Sequence, residues 1–70
     1  MFYVLVINDK GIPEALFGPD VWDICIEKVT EIAKNRTTVS DDELEVIADD
    51  GMFTDDNSEW GVYTLCAEKL

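Results

Sequence analysis

The chain has 70 residues, 47% hydrophobic and 10% aromatic, with 16 carboxylates against five basic groups and a net charge of −11. That apolar content suffices for one small core and excludes a disordered chain, while the charge repels nucleic acid and anionic membranes and draws basic proteins, polyamines or divalent cations. A domain of this size buries only about 60% of its unfolded surface, so the self-repelling charge rests on a narrow margin of stability.

Phe2 to Ile7 is an unbroken run of aromatic and branched aliphatic residues. It reads as a strand buried on both faces and central in its sheet. In Asn8-Asp9-Lys10-Gly11, Asn opens a type I turn and Gly supplies the positive φ of a G1 bulge. A return strand over Ile12 to Phe17 follows, held at the sheet edge by Pro13, which has no N–H to donate. Gly18-Pro19-Asp20 breaks that strand and opens a helix, with Asp20 as its cap and Asp23 in its first turn.

Val21, Trp22, Cys25, Ile26, Val29, Ile32 and Ala33 share one arc of a helical wheel. Asp23, Glu27 and Glu31 recur every fourth residue on the other side, together with Ile24. The helix ends near Asn35-Arg36. Ser40-x-x-Glu43 is a capping box that starts a second, shorter helix with Leu44, Ile47 and Ala48 as its apolar stripe and Gly51 as its terminator. Met52 and Phe53 then tuck back as plugs, TDDNSE forms a solvated loop, and Val62 to Glu68 is the last strand, paired with the first. The expected architecture is α+β: one domain over residues 1–70, β-β-α-α-β, with a three-stranded antiparallel sheet in order 2-1-3 and both helices on one face.

Two helices cover only one face of such a sheet. Phe2, Val4 and Val6 take one side of the first strand, and Tyr3, Leu5 and Ile7 the other. The uncovered set marks an oligomer interface or a docking face, unless loop residues such as Phe53 and Trp60 fold over it.

Catalytic equipment is missing from the sequence. With no histidine, neither a Ser-His nor a Cys-His dyad forms, and the glycines are scattered rather than gathered into a phosphate loop. Cys25 and Cys66 lie in apolar contexts without a cation to activate them; they read as buried free thiols rather than a single bridge. Paired carboxylates need a cleft that so short a chain hardly builds. Asp55, Asn57 and Glu59 have the spacing of oxygen ligands, but an EF-hand loop counted from Asp55 places Trp60 where Gly is needed and Cys66 where Glu is needed. No dedicated metal site is expected there, and at most weak, adventitious Ca²⁺ or Mg²⁺ binding. No cofactor is expected. The N-terminal apolar run is too short for a signal peptide or membrane span, which suggests a cytoplasmic protein.

The remaining signal is the stretch from Ser40 to Trp60. It holds Asp41, Asp42, Glu43, Glu45, Asp49, Asp50, Asp55, Asp56 and Glu59, and no Lys or Arg lies between Arg36 and Lys69. Such a surface suits a cleft lined with Lys and Arg that normally holds nucleic acid, with Met52, Phe53 and Trp60 as apolar anchors. In size, acidity and its strand, turn, helix layout, FYVLVINDKG through VYTLCAEK resembles the small accessory proteins of phages and mobile elements, among them the anti-CRISPR and anti-restriction inhibitors. The resemblance implies inhibition of a host protein in the host cytoplasm. Together these readings point to a non-enzymatic acidic inhibitor or adaptor that binds a basic nucleic-acid-handling protein. The alternative is a homo-oligomeric or scaffolding module joined through Tyr3, Leu5 and Ile7.

Overall fold

A computed structural model describes residues 1–55 and 61–69. The order is β1 (Phe2–Ile7), β2 (Pro13–Asp20), α1 (Trp22–Arg36), α2 (Asp41–Asp50), β3 (Met52–Asp55) and β4 (Tyr63–Lys69). All four strands form one antiparallel sheet in the order β2-β1-β4-β3. The α+β class, the first hairpin, the two helices and the pairing of first and last strands follow the sequence. The strand count does not: a fourth strand, β3, adds itself beyond β4.

The β1–β2 turn is built by Asn8, whose Oδ1 accepts hydrogen bonds from the backbone N–H groups of Lys10 and Ile12 at 2.9 and 3.1 Å. Gly11 closes it at φ 75°, donating to the Asn8 carbonyl at 2.9 Å. β2 continues past its expected end, through a cis Gly18–Pro19 bond to Asp20, because two register shifts against β1 absorb its extra residues. Helix α1 consequently begins later than expected. Its N-cap is Val21, with no side-chain cap, and Asp20 instead accepts from the Val21 N–H at 2.8 Å.

The core lies between the sheet and the two helices. Val4 from β1, Cys25, Val29 and Ala33 from α1, Ile47 from α2, Phe53 from β3 and Tyr63 and Leu65 from β4 are buried together. Phe2 extends this layer with an edge-on contact to Trp22, ring centroids 5.1 Å apart. Ile24 is exposed, as its place on the wheel requires, but so is Ala48, which the stripe assigned to the core. Helix α2 buries Ile47 fully and Leu44 in part.

Residues 52–55 read as plugs and loop because the segment is short and ends in a carboxylate, yet their burial alternates with the period of a strand. Gly51 makes the transition. At φ 68° it ends α2 in the left-handed region, donates to the Ile47 carbonyl, and accepts from the Ala67 N–H at 2.8 Å, which begins the β3–β4 ladder. A Cβ there would lie 2.7 Å from Trp22 Cη2, 3.2 Å from Ile26 Cδ1 and 3.3 Å from Ala67 Cβ.

Two substitutions measure these devices by urea unfolding. Ser40→Ala removes the capping box and costs about 1 kcal/mol. Gly51→Ala adds left-handed strain to a clash on three sides and costs upwards of about 2 kcal/mol; a loss no larger than that of Ser40→Ala would show the junction to be tolerant.

Candidate functional site

Helix α2 reads DDELEVIADD: six carboxylates in ten residues and no base. Its start is well made. Ser40 Oγ accepts from the Glu43 N–H at 3.2 Å, and Glu43 Oε1 accepts from the Ser40 N–H at 3.2 Å and from its hydroxyl at 3.0 Å. Glu43 is therefore half-buried and occupied by the cap, while Asp41, Asp42, Glu45, Asp49 and Asp50 are exposed. Helical spacing sorts the exposed acids into two ridges, Asp41-Glu45-Asp49 and Asp42-Val46-Asp50.

Asp41 and Asp42 sit where the helix dipole favours negative charge, but Asp49 and Asp50 occupy the last turn, where it opposes them. No carboxylate of α2 is in a salt bridge among the described residues. Two of the five bases are engaged elsewhere: Lys28 bonds Glu31 at 3.1 Å and lies 5.2 Å from the centre of the Phe17 ring, and Arg36 lies 4.9 Å from that of Tyr63. Lys28 also partly neutralises the α1 ridge of Asp23, Glu27 and Glu31.

Beside α2 the sheet edge leaves an open groove of about 400 Å³, lined by Asp42, Glu43, Val46, Asp50, Met52, Phe53 and Thr54. Its exposed apolar walls are Val46 and Met52, 48% and 47% accessible. Sequence reasoning passed over Val46; the signal was an apolar residue on the outer face of an otherwise acidic helix.

Two expected contact residues are placed elsewhere. Phe53 is 4% exposed, packed in the core on the helix side of the sheet, so it is neither a protruding anchor nor a cover for the opposite face. Asp55 is 7% exposed rather than solvated, because it points inward beside its ladder partner Tyr63. The Tyr63 hydroxyl is enclosed, and its pKa is pushed up by burial first and the Asp55 charge second, against the opposing pull of Arg36. Asp56, Glu59 and Trp60 lie outside the described residues.

On the sheet face turned from the helices, Tyr3, Leu5 and Ile7 are half-buried. They form a surface distinct from the acidic helix. Cys66, paired between Leu5 and Met52, belongs to that face, whereas Cys25 lies in the helix-side core. Both cysteines are free and buried. The sheet stands between them, which explains the missing bridge.

Among the described residues no three His, Cys, Asp or Glu side chains converge to hold a metal ion, and no helix is long and apolar enough to cross a membrane. Comparison with protein-family models, curated proteins and solved structures gives no match to this chain. Its function is read from its own residues.

Two measurements follow. Asp49→Asn and Asp50→Asn each relieve a charge opposed by the helix dipole, so each raises the unfolding free energy by a few tenths of a kcal/mol; a fall would assign these carboxylates a structural duty. Burial pushes both thiols up, with Asp20 adding to the effect at Cys25 and Glu68 at Cys66. The native state then holds its protons longer than the unfolded chain, so these groups' stabilisation is intact below the ordinary thiol pKa of 9.0 and is lost as pH rises through the raised values. Urea midpoints followed upward from pH 8 check the decline, which should flatten in Cys66→Ala.

Proposed function

We propose that this chain is a non-enzymatic, acidic protein-binding module: an inhibitor or adaptor that occupies the basic cleft of a nucleic-acid-handling host protein as a mimic of nucleic acid. The observation that carries this reading is the unpaired charge of α2. Ten helical residues span about 15 Å, so six carboxylates give roughly one charge per 2.5 Å of axis. Duplex DNA presents about one per 1.7 Å, and each of its strands one per 3.4 Å. The helix lies within that range, on a folded support that cannot be bent away.

Energetic cost points the same way. Acids three and four residues apart on one helix repel, and Asp49 and Asp50 also work against the dipole. Solubility is obtained more cheaply with mixed charges. A binding duty accounts for a concentration of like charge that folding does not need.

The second reading rests on Tyr3, Leu5 and Ile7. Half-buried apolar groups on the face opposite the helices suit a homo-oligomer or scaffold joined through the sheet, with the acids keeping the assembly in solution. Salt separates the two readings, since it screens a charged interface and strengthens an apolar one.

The test is capture of partners from a lysate of the source organism by the tagged chain, washed at low and high salt, beside the variant Asp41→Lys/Glu45→Lys/Asp49→Lys. The expected result is a nucleic-acid-binding protein retained at low salt, released at high salt and not captured by the variant, whose circular dichroism remains that of the parent. Equal capture by the variant would overturn mimicry. Recovery of the bait alone, as a salt-resistant dimer lost in Leu5→Lys, would establish the sheet-face reading instead.

A further inference from the structure

The sheet has two edges, and they are finished differently. On β2 the Asn8 N–H donates to the Ile12 carbonyl, so the neighbouring Pro13 directs its nitrogen away from β1, and that nitrogen carries no hydrogen. Pro19 and two register shifts interrupt the rest of that edge. These are the devices by which proteins blunt an edge strand.

Edge strand β3, four residues long with Asp55 turned inward, lacks the proline and register-shift devices of β2. It also contains no lysine. Because the Gly51 carbonyl is bonded to the Ala67 N–H, Phe53 and Asp55 also turn their backbone groups to β4. Met52 and Thr54 therefore present their N–H and C=O groups outward, and no described strand pairs with them. Directly beside this row lies the groove, walled by the Asp42-Val46-Asp50 ridge of α2 and floored by Phe53.

We infer that β3 and α2 together form a strand-addition site, which takes an extended segment of a partner protein carrying the pattern Lys/Arg-x-apolar-x-Lys/Arg as a fifth strand. This rests on the protein-binding reading above and gives that module its means of recognition. The added strand bonds through Met52 and Thr54, and its middle apolar side chain, opposite Phe53, enters the groove against Val46. Residues two places before and after point to the same face. They are about 13 Å apart in a strand, and Asp42 and Asp50, eight helical residues apart, are separated by about 12 Å. Two cations at this spacing thus meet the two carboxylates that flank Val46. Backbone bonds supply affinity and the alternating side chains supply specificity, as in other strand-addition sites. The acid rim rejects acidic and favours basic segments.

The experiment titrates the full chain into a fluorescein-labelled peptide, Thr-Lys-Thr-Val-Thr-Lys-Thr, and follows anisotropy. Saturable one-to-one binding is expected, with new amide protection at Met52 and Thr54 by hydrogen exchange. Thr54→Pro removes an outward N–H while leaving the ladder to β4 intact, and weakens binding about tenfold or more. Val46→Lys, at an exposed position that costs the core nothing, does the same even if the proline variant folds poorly. Binding unchanged in Val46→Lys, or equal binding of a peptide of the same composition with its two lysines adjacent, overturns strand addition in favour of charge attraction alone. A dimer of the free chain that Thr54→Pro dissociates would make a second copy the occupant and overturn it likewise. If the lysate partner is captured through the 41-45-49 ridge while the peptide fails these tests, the groove inference falls and the module stands. If the peptide passes them while reversal of that ridge leaves capture unchanged, mimicry falls and the groove stands.

Discussion

Everything in this small fold meets at Gly51. One residue ends α2, begins β3, and lies against Trp22 and Ile26 of α1 and Ala67 of β4. Its positive φ reverses the chain at the end of the helix, and its missing side chain lets the strand start at once, with no intervening loop. The sequel is geometric. A helix joined to a strand without slack must lie beside that strand, so the acidic face of α2 and the edge of β3 are fixed together as two sides of one groove. Neither charge nor edge would mean as much if a flexible loop joined them.

The energetics of α2 separate what folds it from what it displays. Ile47, Leu44, the capping box and the glycine terminator hold the helix; the exposed acids contribute nothing favourable beyond the first turn, and the last two oppose it. Fold and charge are therefore coupled unequally along the helix: the first-turn acids and the Glu43 cap support it, whereas Asp49 and Asp50 are carried at a cost that the apolar contacts and the two caps offset. By contrast, Cys25 and Cys66 are placed by packing and held unreactive by it.

Much of the fold was legible because single residue types there have single physical meanings. The apolar run Phe2–Ile7 could only be an interior strand, Asn8 and Gly11 specified their turn, and Ser40, Glu43 and Gly51 delimited α2 to the residue. Three features were hidden, each by a tertiary effect. Gly18-Pro19 looks like a break, but two register shifts let the strand run through it. Asp20 looks like a cap, but β2 claims it. Met52–Asp55 looks like a loop because a carboxylate at an inward position disguises its alternation; only the neighbours Tyr63 and Leu65 on β4 make it a strand. The acidic surface was legible as composition, and its groove was not, since Val46 and Met52 come together only when β3 exists.

The unequal edges have a consequence for growth. A sheet open on both sides can act as a repeating unit, each copy templating the next, which is how strand pairing runs on to fibres. Here the proline-bearing side of β2 closes one direction, and the remaining side can be satisfied a single time. If the proposed strand addition holds, the molecule would act as a chain terminator: a strand taken up on β3 would find the far side of the sheet closed by the prolines of β2.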